Sequence, residues 1–452
     1  MFQWNESHVI NAAGGRSIGN WCSKNISTDT RSIKKGDLFI ALKGKNFDGH
    51  NFVYEAFAKG AVAAIVSENK WQNFPTVIVK DTLKALHNMA SYYIRNVLCN
   101  VKVIAVTGSV GKTTTKDMLY TVLSQYGISH ATRGNLNNNI GVPLTILSAP
   151  QNCEYLILEM GMSRSSEIRE LSEISNPDIA VITNIEHAHT ANFSSLFDVA
   201  QAKLEVLHGL KSDGILVLNK DNKYLSSYLN KNKSSVISFG KHQDATVRLL
   251  NLKRNESGLN LNIQLNDSKI VNYHLHTHGE HFSYSVLAVV GVAMALKLNL
   301  PQNAFETFQI TKGRGNICYT QYNGKHLCLI DDSYNANPAS MKAAIKTLGT
   351  YSNKRKVAIL GDMLELGDES VKFHTDLLDH ILACEIDKVH AVGSLMLELH
   401  KLLPRGVKGA HFDDSSQLKN NLDDIVHNGD VILIKGSQGM HMNIIIQQLC
   451  LK

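Results

Sequence analysis

The sequence predicts an α/β protein of three domains: a small α/β unit, a central parallel-sheet unit carrying a phosphate loop, and a C-terminal Rossmann-like unit. Three observations predict it. Short apolar runs rich in Val and Ile recur along the chain, each followed by a polar or glycine-bearing loop and a helical stretch; that alternation builds parallel sheets. The 452 residues amount to about three domains of ~150. Finally, Thr311-Lys312-Gly313-Arg314-Gly315 reads as a basic, flexible hinge. The expected divisions are therefore 1–98, 99–313 and 314–452.

Composition narrows the class. Hydrophobic residues make up 44% and charged residues 19%, which suits a folded, water-exposed protein rather than a disordered one. The start, Met1-Phe2-Gln3-Trp4, shows no leader pattern, and no apolar run approaches the ~20 residues of a membrane span. The seven cysteines are scattered without Cys-x-x-Cys spacing and are expected to be reduced core thiols. A cytoplasmic protein is expected, in monomeric form. A net charge of +6 spread over the length gives no basic stripe for nucleic acid. The nearest basic run, Asn219 to Lys233, is laced with Asn and Ser and reads as a solvated surface turn.

In the first unit, short strands and polar turns lead through an alanine-rich stretch to the strands Ala61–Val66 and Pro75–Val79. Its polar cluster at Thr28, Asp29, Thr30 and Arg31 suits either an anionic ligand or a structural ion pair. The second unit opens on the most informative stretch, Val101–Val106 followed by Thr107-Gly108-Ser109-Val110-Gly111-Lys112-Thr113-Thr114 and a helix. Strand, glycine loop, lysine, hydroxyl and helix in that order make a phosphate cradle of backbone N–H groups. Val106 stands where the longer Walker pattern has its first glycine, so the loop is a shortened variant.

Three later segments add chemistry to that loop. Arg133-Gly134-Asn135-Leu136-Asn137-Asn138-Asn139 is an amide-rich loop suited to a peptide or sugar, or simply an Asn turn. Tyr155–Glu159 is a strand ending on a carboxylate beside the phosphate loop. His189 follows the strand Ile179–Thr183, and Lys203 lies in a helix. Glu159 offers Mg²⁺ an oxygen ligand, and Lys203, if burial lowers its pKa, can react with CO₂ to give an anionic carbamate. The histidines at 274, 276 and 278 are expected on one solvent-facing strand face, while His281 precedes an apolar helix that includes Ser285 and suits a purine. In the third unit, strands ending at Cys328–Ile330, Lys356–Leu360, Val389–Val392 and Val431–Ile434 place polar loops along one sheet edge.

Thr107-Gly-Ser-Val-Gly-Lys-Thr113, Gly134-Asn-Leu-Asn-Asn138 with Ile140-Gly-Val-Pro143, Asp331-Asp-Ser-Tyr-Asn-Ala-Asn337 and Gly361-Asp-Met-Leu-Glu-Leu-Gly367 together resemble the Mur ligase family over nearly the whole chain. The last three motifs resemble the branch that adds D-alanyl-D-alanine to UDP-N-acetylmuramoyl-tripeptide. The resemblance implies a uridine-nucleotide site in residues 1–98, through Thr28 to Arg31 and Lys43 to His50. It implies ATP and Mg²⁺, two ions, in the centre: Thr113, Glu159, His189 and a carbamoylated Lys203 as metal ligands, His281 and Ser285 near adenine, and Arg314 at the phosphates. Asn135, Asn137 and Asn138 would face substrate. Asp332, Asn335, Asn337, Lys435 and Ser437 would close over ATP and the dipeptide. Ser285 replaces the family's asparagine, and Ala191 stands where an acidic residue is common. The competing readings are a sister amide ligase, such as a folylpolyglutamate synthase, and a nucleotide switch that performs no ligation.

Overall fold

The computed structural model describes residues 2–71, 73–187, 192–229, 235–266 and 268–450. Three principal sheets carry the α/β architecture. The first contains β1 (Arg16–Ile18), β2 (Ile26–Ser27), β3 (Leu38–Ile40), β4 (Ala63–Val66) and β5 (Thr76–Ile78), in the order β1-β5-β4-β3-β2, parallel except for β1. Helix α1 (Thr82–Asn96) leaves this sheet, capped by Asp81 accepting from the N–H groups of Leu83 and Lys84.

The second sheet has nine strands. β6 (Lys102–Thr107) runs into α2 (Lys112–Leu123), and β7 (Ser129–Ala131), β8 (Tyr155–Glu159), β9 (Ile179–Ile182), α3 (Leu196–Leu204), β10 (Ile215–Asn219) and β11 (Ser235–Gly240) follow. β12 (Val247–Asn255), β13 (Gly258–Leu265) and β14 (Lys269–Leu275) extend it, before α4 (Phe282–Ala295). The order is β14-β13-β12-β11-β10-β9-β6-β8-β7, antiparallel only at its last two pairings, β12 with β13 and β13 with β14. Val103, Ile104, Ala105 and Val106 have no exposed surface, because helices cover both faces of the sheet; an unbroken apolar run rather than alternation results. β9 lies on one side of β6 and β8 on the other, so a crevice opens at their carboxyl ends.

The third sheet comprises β15 (Asn316–Tyr322), β16 (Lys325–Asp332), β17 (Lys356–Gly361), β18 (Lys388–Val392), β19 (Lys408–Phe412) and β20 (Val431–Lys435), ordered β15-β16-β20-β17-β18-β19. Only β15 is antiparallel. Between β16 and β17 lies α5 (Pro338–Gly349), started by a capping box of Asn337 and Ser340 with proline in its first turn. Gly313 and Gly315 adopt φ of +80° and +91° on either side of Arg314, a left-handed path that favours glycine. The Gly313 N–H donates to Asn316 Oδ1 and Asp331 Oδ2, and that of Gly315 to the Asp331 carbonyl, so the hinge is tied to the third sheet.

Several expectations are corrected here. β14 ends at Leu275, so His274, His276 and His278 do not share a strand face. His274 and His276 meet each other, whereas His278 packs edge-on against Tyr351. The run expected to be a solvated turn is half structure: Asn219 is buried, and Lys223–Leu229 is a helix; residues 230–234 lie outside the described residues. All seven cysteines are free thiols, but Cys22, Cys99 and Cys450 are exposed rather than in the core.

His390 on β18 predicts acid sensitivity. Its Nδ1 accepts from the Ala410 N–H, and its Nε2 is buried without a partner among the described residues. Burial, helped by Arg355, Lys388 and His400, pushes the ring down to about 4. The folded pKa thus lies below the unfolded value of ~6.5, so the neutral ring is fully tolerated above pH 6.5 and stability is lost as pH falls from there to about 4. About 3 kcal/mol should be lost across that window, at ~1.36 kcal/mol per pH unit. Urea unfolding of His390→Leu should lack this component; a variant curve parallel to that of the unmodified protein would refute it.

Candidate active site

The loop after β6 is shaped by one close approach. Gly108 has φ +148°, and a Cβ there would fall 1.9 Å from Thr183 Oγ1. That hydroxyl, at the end of β9, donates to the Val110 carbonyl at 2.5 Å and stays 3.3 Å from the Thr107 carbonyl. The Ser109 N–H donates to the Asn184 carbonyl at 2.8 Å, and Thr107 Oγ1 to the Met160 carbonyl. β9 and the end of β8 therefore fix the loop. Gly111 (φ +82°) turns the chain into α2, whose N-terminus places the N–H groups and positive dipole end at Lys112 to Thr114.

A cavity of about 1370 Å³ opens on this loop. Ser109 to Thr114 form one wall, and the amide loop contributes Asn135, Asn137 and Asn138. Glu159, Lys203, His281 and Ser285 line it from the central unit; Arg314, Asp332, Asn335, Asn337 and Lys435 line it from the third. Thr107 and Gly108 shape the loop without lining the cavity. His189 lies outside the described residues, as does Ala191. Thr28, Asp29, Thr30, Arg31 and Lys43 are not brought to this cavity. There Arg31 pairs with Asp29 at 2.6 Å, holding that carboxyl at about 2, and Lys43 pairs with Asp48 at 3.3 Å. The ion-pair alternative at 28–31 is thus present, on an Arg31 that remains largely exposed.

Charge in the cavity is unusually concentrated. Lys112 Nζ donates to the carbonyls of Gly108 (2.7 Å) and Ser109 (3.3 Å); desolvation lowers its pKa, with Glu159 opposing and Arg314 reinforcing the shift. Lys203 is 4% exposed, and desolvation together with nearby Lys112 lowers its pKa well below the ordinary lysine value. Glu159 accepts from Asn137 Nδ2 at 2.9 Å through Oε1, while its Oε2 is buried with no partner among the described residues. Across the cavity, Lys435 pairs with Asp332 at 2.7 Å and donates to the Asn335 carbonyl; burial raises the Asp332 carboxyl although Lys435 pulls the other way. The Arg314 guanidinium lies over the Tyr334 ring, 4.2 Å from its centroid.

Some expected residues do more than one job. Asn138 Oδ1 accepts from the N–H groups of Ile140 and Gly141, so it also starts the next helix. Ser285 Oγ accepts from Thr115 Oγ1, joining α4 to α2. Sequence reasoning missed Asp221, Asn222, Tyr284 and Thr183 in the lining. Tyr284 donates to Asp221 Oδ2 at 2.8 Å, and Asn222 Nδ2 to Asn184 Oδ1 at 2.7 Å. A signal existed: Asn219 ends a buried strand and Asp221 and Asn222 follow it, at the carboxyl edge where α/β ligand sites gather.

Comparison with known proteins now bears on this arrangement. Residues 106–293 match the Mur ligase middle domain, 313–438 the Mur ligase glutamate ligase domain, and 23–105 the catalytic domain of the Mur ligase family. A relative from Bacillus subtilis, UDP-N-acetylmuramoyl-tripeptide--D-alanyl-D-alanine ligase, is 36% identical, over 94% of this chain and 92% of its own. The chain belongs to the Mur ligase family. The Rickettsia prowazekii Mur ligase of the same name is 35% identical over 98% of this chain and 99% of its own. Among solved Mur ligases, MurF from Acinetobacter baumannii superposes with a TM-score of 0.91 at 31% identity, covering 99% of both chains. MurF of Thermotoga maritima in complex with ADP gives 0.83 at 28% identity, covering 94% of this chain and 96% of that one.

The crowded loop of this Mur ligase yields a sharp test. Gly108→Ala must displace Thr183 or leave the left-handed region, and is expected to cost about 2 kcal/mol or more. It should also weaken binding of a non-hydrolysable ATP analogue at least about tenfold, which is ~1.4 kcal/mol. Calorimetric titration reads this directly, and unchanged affinity would remove the loop from the nucleotide site.

Proposed function

We propose that the protein is the ATP-dependent ligase that joins D-alanyl-D-alanine to UDP-N-acetylmuramoyl-tripeptide, releasing ADP and phosphate and supplying the pentapeptide precursor of peptidoglycan. The observation that carries the reading is the single cavity in which the glycine loop and Lys112 face Arg314 and the Asp332–Asn337 loop of another unit. Membership of the Mur ligase family and the full-length likeness to D-alanyl-D-alanine-adding relatives support the substrate class.

In the first step a tripeptide carboxylate oxygen attacks the γ-phosphorus of ATP, and the bond to ADP breaks, leaving an acyl phosphate. In the second, the dipeptide amine attacks the acyl carbon, phosphate leaves and the nitrogen gives up a proton, forming the amide. Repulsion opposes the first step: two unit charges at 4 Å cost about 1 kcal/mol in water and ~4 kcal/mol at an effective dielectric of 20. Lys112, Arg314 and the N–H groups of the loop offset it where negative charge gathers. No side chain needs to act as nucleophile.

The residues fit Mg²⁺, because the Glu159 Oε2 is a buried carboxylate oxygen, without a partner among the described residues, in a cavity shared with Thr113 and Lys203. Thr113, Glu159 and His189, with a carbamoylated Lys203, would hold the two ions. When bound, such ions supply positive charge to the phosphoryl oxygens. Depressed basicity leaves the Lys203 amine neutral enough to add CO₂, with loss of a proton. Asn135, Asn137 and Asn138 would orient the tripeptide, His281 and Ser285 would flank adenine, and Asn335, Asn337 and Lys435 would place the dipeptide. Thr28 to Arg31 and Lys43 would hold the uridine diphosphate end in residues 1–98, with 99–313 and 314–452 as the catalytic pair of domains. We place the enzyme in the cytoplasm as a monomer; among the described residues no helix is long and apolar enough to cross a membrane.

The test is to combine protein, ATP, Mg²⁺, UDP-N-acetylmuramoyl-tripeptide and D-alanyl-D-alanine, following phosphate and the mass of the UDP product. Phosphate release dependent on every substrate, with the pentapeptide mass, is expected. Release that ignores the peptide acceptors would favour a nucleotide switch instead.

A further inference from the structure

The chain passes from the central to the third unit at Gly313–Gly315, and the cavity draws residues from both sides of that crossing. A second junction lies away from the hinge. Glu280, immediately before the cavity residue His281, is held by two cations from different units: Lys346 of α5 at 2.7 Å and Arg254 of β12 at 3.3 Å. Beside it, His278 of the central unit packs edge-on against Tyr351, which follows α5, with ring centroids 5.9 Å apart. Lys346 and Arg254 together hold the Glu280 carboxyl below its ordinary range.

α5 is what makes this junction matter. Its N-terminal end carries Asn337, Ser340 and Ala343 into the cavity, and its last turn carries Lys346 to Glu280. A single rigid helix therefore connects the clamp to the site. We infer that Glu280 is a positioning residue: bridging Arg254 and Lys346, it fixes α5, and with it the Asp332–Asn337 loop, over the phosphate loop. The inference rests on the proposed ligase reading, yet its main readout does not require ligation.

An exposed pair is worth about 0.2–1 kcal/mol, and Lys346 is largely exposed. If the bridge sets the fraction of molecules with an assembled cavity, apparent affinity falls with that fraction while saturated turnover does not. Lys346→Met and Glu280→Gln should each weaken binding of a non-hydrolysable ATP analogue by about twofold to fivefold. The double variant should be no worse than Glu280→Gln alone, since Lys346→Met removes one arm of a bridge that Glu280→Gln has already broken. Lys346→Arg should bind as the unmodified protein does, and raising salt should weaken binding to the unmodified protein more than to Lys346→Met. In the ligation assay, KM for ATP should rise with kcat unchanged, and melting temperatures should stay level. Unchanged affinity in both single variants, additive losses in the double, or a fall in kcat alone would overturn the inference. A protein that binds the analogue with this pattern but ligates no dipeptide would sink the ligase reading and leave the bridge standing.

Discussion

Replacing Lys112 by methionine is expected to lower the rate of phosphate release by about a thousandfold, equivalent to ~4 kcal/mol of transition-state stabilisation. Methionine keeps the length and apolar stem but removes the charge that lies within the loop, bonded to the Gly108 and Ser109 carbonyls. The γ-phosphoryl group gains its greatest need for neutralisation as it transfers, so the loss should fall on kcat more than on nucleotide affinity. Single-turnover kinetics with saturating ATP would show this. If kcat survived and only KM rose, Lys112 would be a ground-state anchor and Arg314 the better candidate for the transition-state charge.

The second large effect is expected at Lys203, where activity and stability should move apart. Lys203→Ala or Lys203→Met should reduce turnover by about a hundredfold or more, a scale comparable to losing one preorganised charge-stabilising group. Short-chain carboxylic acids should partly restore the alanine variant by standing in the vacated space as an oxygen ligand. Unchanged turnover would end the carbamate reading. Stability should behave differently. A lysine whose folded pKa is depressed contributes its full stability only above its unfolded pKa, and loses it as pH falls toward the folded value. At pH 7 it therefore weighs against the fold, and Lys203→Met should be at least as resistant to urea as the unmodified protein. A methionine variant that lost both activity and stability would mean the amine is structurally paired.

Much of this was legible in residue order. Val101–Thr113 announces a strand, a loop and a helix because each carries its own local chemistry: branched apolar residues, glycines at left-handed positions and a hydroxyl at a helix start. Glu159 was legible as a strand-end carboxylate, and its proximity to Lys112 followed from parallel pairing of β8 with β6. The Thr183 buttress was not, because its role depends on a contact with a loop more than seventy residues away in sequence. Asp221 and Asn222 were misread because lysines and asparagines close behind them resemble solvated surface, and only the register of β10 turns them toward the cavity. The three histidines failed for the opposite reason: alternation was extended one strand-end too far, past Leu275. Glu280 had no signal at all, since its partners lie on β12 and α5.

At Gly313–Gly315 the chain crossing and a phosphate-facing charge coincide. The guanidinium stacked on Tyr334 is borne by the middle residue of the crossing itself, between two left-handed glycines. Because Gly313 and Gly315 are both hydrogen-bonded to Asp331, Arg314 is held in the frame of the third sheet, and any change in how that sheet sits on the central unit carries the guanidinium with it. Orientation and field are thus linked: a substitution that alters how the third sheet sits on the central one also moves positive charge relative to the phosphate loop.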